Sequence, residues 1–69
     1  MTSLAEELPA KIKYVRTEVL PAYEAIGASG QPAIQMVINP AIDEGVEALA
    51  SGDVTRMIVA YQNLASIKL

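Results

Sequence analysis

Cysteine, histidine, tryptophan and phenylalanine are all missing from this 69-residue chain. Without Cys, no disulfide can brace a domain of this size. Without Cys and His, a zinc or copper site of ordinary composition is excluded. The commonest general base of enzymes is absent as well. No catalytic, metal-ligating or cofactor-binding residue is therefore expected, and no cofactor. Aromatic area is restricted to Tyr14, Tyr23 and Tyr61. The core must come from Ile, Val, Leu and Met, padded with Ala.

Positive charge is scarce too. Five Lys and Arg face eight Asp and Glu, for a net charge of −3. Lys11, Lys13 and Arg16 form the one basic cluster, flanked by Glu6, Glu7 and Glu18. A nucleic-acid binder needs a basic patch to neutralise phosphates, so nucleic acid is not an expected partner. Long apolar runs are also lacking. The stretch from Pro32 to Ile42 is interrupted by Gln35 and Asn39, and it falls short of the ~20 residues that span a bilayer. No transmembrane segment is expected. Met1–Glu7 has no basic region followed by an apolar run, so no secretory leader is expected and the expected location is cytoplasmic.

Apolar residues nonetheless make up 52% of the chain, too many for a disordered segment. Their spacing is helical, and residues 1–69 read as one small all-α domain. Ser3-Leu4-Ala5-Glu6 fits a capping box that would start a helix. The alternative start is Pro9, in its favoured first helical position. Leu8, Ile12, Val15, Val19, Ala22 and Ile26 then step by four and three along one face. That phase runs through Pro21, which argues for a bent helix over two separate ones. Gly27–Gln31 is a stop, and Pro32 opens a second helix with an apolar face of Ile34, Ile38, Ile42, Gly45 and Leu49. Asn39-Pro40 poses the same choice between bend and break. Ser51-Gly52-Asp53 is a second turn, with Asp53 as N-cap. A third helix carries Val54, Met57, Ile58, Tyr61, Leu64 and Ala65, with Lys68 in its last turn. The expected fold is a three-helix bundle with proline bends near Pro21 and Pro40.

Polar clusters have ordinary explanations. Asp43, Glu44 and Glu47 lie at helical spacing and read as a solvated helix face. Ser29 and Ser51 sit in turns with no obvious base to activate them. Ala41, Gly45 and Ala48 put small residues down one side of the second helix. Gly45 costs about 1 kcal/mol relative to Ala there, which close approach by another helix would offset.

The stretch from Glu47 to Met57 resembles the helix–Ser-Gly-Asp–helix core of a small bacterial helical domain family of unknown function. Over residues 47–61 it also resembles the turn and second helix of a tetratricopeptide repeat, with Ile58-Val59-Ala60-Tyr61 after the Gly-Asp. No 34-residue period or matching first helix accompanies it. The first resemblance implies a helical fold and no particular activity.

Several apolar residues fall off the main stripes: Leu20, Val37 and Val59, with Ile67 and Leu69 at the end. Together with Tyr23 and Gly45 they are the expected interface residues. Surplus apolar surface of this kind marks contact with other proteins. The expectation is a non-enzymatic interaction or accessory subunit, in a homo-oligomer or on a larger partner. The alternative is a carrier of a small apolar ligand, with Tyr14 or Tyr23 at the mouth of a pocket between bent helices.

Overall fold

Ser3 enters the first helix in an extended conformation, and its carbonyl accepts the N–H groups of Glu6 and Glu7 at 3.0 and 2.9 Å. Its hydroxyl makes no cap bond. The helix thus starts at Leu4 without the expected capping box, and Pro9 lies inside it rather than at its first position. The computed structural model describes residues 3–67, and no strand occurs among them. Leu69, expected at an interface, and Lys68 lie outside the described residues.

The first helix covers residues 4–25. It is α-helical from Leu4 to Tyr14, widens to a π turn over Val15–Val19, and returns to α from Leu20 to Ala25. The Leu20 N–H donates to the Val15 carbonyl, five residues back, and Pro21 follows at once. The second helix, residues 31–51, repeats the device. Its π turn spans Ile34–Ile38, the Asn39 N–H donates to the Ile34 carbonyl, and Pro40 follows. A proline has no N–H, and its ring crowds the carbonyl four residues earlier. A wider turn just before it makes room, so each helix continues unbroken across its proline. Both π turns begin and end at a buried β-branched residue: Val15 and Val19, Ile34 and Ile38.

A π turn adds one residue and rotates the remainder of the helix by about 100°. This overturns part of the expected first face. Leu8, Ile12, Val15 and Val19 are buried, but Ile26 is 59% exposed. Leu20 and Tyr23 pack against the core in its place.

A 3-10 turn, Gly27–Gly30, returns the chain into the second helix, where Pro32 sits in the opening turn. Ile34, Ile38, Ile42 and Gly45 are buried there, with Ala41 and Ala48 beside them. Leu49 is half-buried. At Gly45 side chains of both other helices approach closely. A Cβ added there would lie 3.1 Å from Ile12 Cδ1 and 3.2 Å from Leu64 Cδ1.

The second turn is held locally. Gly52 adopts φ 70°, a left-handed conformation that favours glycine. Its N–H donates to the Ala48 carbonyl at 3.2 Å. Asp53 Oδ1 accepts the N–H groups of Thr55 (2.9 Å) and Arg56 (3.3 Å), which caps the third helix, Val54–Ala65. Asp53→Ala should cost about 1 kcal/mol. It should lower the midpoint of thermal unfolding by about 4–8 °C, read by circular dichroism. An unchanged midpoint would mean that the cap contributes nothing.

Met57, Ala60 and Leu64 turn the third helix inward, whereas Val54 and Ile58, expected inside, are exposed. The core-facing arc centres on Ala60, and Val54, Ile58, Tyr61 and Ala65 flank it on one side. The third helix packs on residues 4–14 of the first helix and 39–51 of the second. At ~18 Å it is much shorter than the ~32 Å second helix. The far end of the hairpin formed by the first two helices therefore stands largely uncovered.

Candidate interaction surface

The polar side chains singled out from the sequence are mostly engaged locally. Arg56 lies 3.5 Å from Glu44 and 3.7 Å from Glu47. All three are well exposed, and such pairs contribute at most about 1 kcal/mol. They tie the third helix to the second without forming a chemical centre. No group of three acidic residues converges to hold a metal ion among the described residues. On the opposite flank, the Lys11 ammonium sits over two rings, Tyr14 at 5.5 Å and Tyr61 at 5.7 Å. This cation–π contact joins the first and third helices.

Apolar surface gathers at the open end of the hairpin. The third helix ends at Ala65, and among the described residues beyond it Ser66 and Ile67 reach the tip of the hairpin. A cleft of about 320 Å³ opens there, lined by Tyr23, Ala33, Val37, Ile38, Ser66 and Ile67. A second hollow, about 250 Å³, adjoins it, and both share Val37 and Ser66. Met36, Pro40 and Asn63 continue the surface into that hollow. The π turn Ile34–Ile38 holds Ile34 and Ile38 in the core and leaves the residues between them outside. Met36 is consequently 77% exposed and Val37 51%.

Three of the expected interface residues, Tyr23, Val37 and Ile67, thus line one cleft. Ile67 contributes as a buried wall rather than an exposed contact. Leu20 is half-buried against the core. Val59 is exposed on the flank of the third helix that carries Arg56 and Asn63, at i−3 and i+4. Gly45 is a correction. The close approach it permits is made by Ile12 and Leu64 of the same chain, so it is buried and offers nothing to a partner.

Met36, the most exposed large apolar residue described, was not among the expected interface residues, and neither was Ile58, which was expected inside. The signal for Met36 was local. Two β-branched residues four apart, followed by x-Pro-Ala, occur at Val15–Ala22 and again at Ile34–Ala41, and both copies form π turns. No helix among the described residues is long and apolar enough to cross a membrane. No protein-family model, no curated protein and no solved structure matches the chain.

Proposed function

We propose that the protein is a non-enzymatic interaction or structural accessory subunit of the cytoplasm. It buries the apolar surface around Val37 in a homo-oligomer or on a larger partner protein, and it works without a cofactor. One observation carries this reading. Val37, mostly exposed, lines a cleft walled by Tyr23 and Ile67, and with the still more exposed Met36 it lines the adjoining hollow. Contiguous apolar surface on a small domain marks a contact site. Methionine adapts to irregular partners, and tyrosine is enriched among residues that anchor interfaces.

The test is a double variant, Met36→Glu with Val37→Glu. Both positions are exposed, so the helical circular dichroism should be kept. The wild-type chain should either grow in mass with concentration, by light scattering after size exclusion, or purify from its native source with a stoichiometric companion. The variant should lose that companion or fall to a smaller oligomer. A variant that associates like the wild type would sink the proposal.

The cleft also supports the carrier reading, since its volume is at the low end of the ~300–1,000 Å³ of small-molecule sites. A carrier would stay monomeric and bind one equivalent of an apolar dye such as anilinonaphthalene sulfonate. The double variant would weaken the dye without changing the mass.

A further inference from the structure

A different face carries a more specific inference. On the side of the first two helices away from the third lies a groove of about 310 Å³. Pro9, Ile12, Val46 and Leu49 give it an apolar lining, and Lys13 and Arg16 stand on the first-helix wall. Val46 is 44% exposed there. Asp43 is exposed on the second helix, one turn before Val46 and Glu47 and between them around the helix axis. Both Glu44 and Glu47, by contrast, turn toward Arg56 on the third helix. Lys13, Arg16 and Asp43 have no ion-pair partner among the described residues.

Their heights are set by the packing. Ile12 meets Gly45, and the two helices run in opposite directions. Asp43, two residues before Gly45, therefore stands level with position 14, between Lys13 and Arg16. Lys13 and Arg16 make no ion pair with Asp43 of their own chain, but the two walls match across a two-fold axis.

We propose that this groove is closed by the same groove of a second copy, about a two-fold axis parallel to the helices. Such an axis preserves height and sets the first helix of each copy against the second helix of the other. Lys13 and Arg16 then straddle the partner's Asp43, and the contact occurs twice. Val46 and Leu49 of each copy close over the partner's Pro9. The interface is isologous and ends at a dimer. The other face-to-face two-fold, perpendicular to the helices, would put Lys13 and Arg16 against their own copies. That arrangement is disfavoured by like charge. Charge thus selects both the occupant and its orientation. This proposal rests on the reading of the chain as an interaction subunit, but it uses a face that excludes Met36 and Val37.

The test is a charge exchange in the full chain, read by sedimentation equilibrium. The wild type should be a dimer that weakens with added salt. Lys13→Glu with Arg16→Glu should weaken it about tenfold or more, and Asp43→Arg should do the same, because each variant now faces like charge. All three sites are exposed, so helical content should not change. Mixing the two variants in equal amounts should restore dimers, since both sets of pairs are then complementary. Met36→Glu with Val37→Glu should leave this dimer intact, which separates failure here from failure of the Val37 surface. A monomer at every concentration would overturn the proposal and leave the groove to a different partner. Variants that dimerise like the wild type, or a mixture that fails to recover, would overturn it too.

Discussion

Leu64→Ala should abolish most of the stability of the isolated domain. Leu64 is completely buried, and its Cδ1 lies where the three helices converge, 3.2 Å from where a Cβ on Gly45 would be. Truncating a buried leucine costs about 2–5 kcal/mol, through lost transfer energy and an unfilled cavity. A core of this size rarely supplies more than about 3–5 kcal/mol in all. With no disulfide available, nothing covalent offsets the loss. The expected result is a chain largely unfolded in buffer, or one whose urea midpoint moves close to zero. Leu64→Met keeps the volume and should cost less than about 1.5 kcal/mol. A loss below about 1 kcal/mol for the alanine variant would mean that the helices repack freely around position 64.

The second large effect is at Gly30, and here the sign is informative. Gly30 has φ −86° and ψ −16°, angles that alanine adopts without strain. Judged by chain entropy alone, Gly30→Ala should stabilise the protein by about 0.4–1 kcal/mol. Space dictates the opposite. A Cβ at this position would run into the backbone carbonyl of Tyr23, which no side-chain rotation can move. The first helix would have to shift away from the start of the second, at the end that the third helix does not reach. Overpacking of this kind typically costs about 1–3 kcal/mol. Thermal unfolding should therefore show a lower midpoint for Gly30→Ala, with exposed Ser29→Ala as a near-neutral control. A stabilised Gly30→Ala variant would show that the hairpin end opens readily.

The all-α, three-helix architecture was legible from the sequence because its signals are local. Apolar steps of three and four, Gly52 with Asp53, and Pro32 in an opening turn each report on a few neighbouring residues, and the structure contains all three. Errors arose where a rule of fixed period met an irregular backbone. Extending the phase from Val19 to Ala22 and Ile26 assumes 3.6 residues per turn throughout. The π turn before Pro21 breaks that assumption, so Tyr23 and Leu20 reach the core instead. On the third helix the misleading residue is Ala60. It is small enough to be ignored by a hydrophobicity pattern, yet completely buried at the centre of the inward arc. For the surface, Val37 was legible as a residue off the main stripe. Met36 was not, because its exposure follows from the same unforeseen widening. Gly45 was legible as a point of close approach, but not whether the approaching helix belonged to the same chain.

The placement of the tyrosines has an optical consequence. With no tryptophan in the chain, near-ultraviolet absorption and emission come from three phenols. Two of them, Tyr14 and Tyr61, flank one ammonium at the seam between the first and third helices. The third, Tyr23, stands on the wall of the apolar cleft. Single Tyr→Phe changes would assign each emission to its place. The chain thus carries native reporters for two separate events, undocking of its last helix and occupation of its open end, and it needs no attached dye.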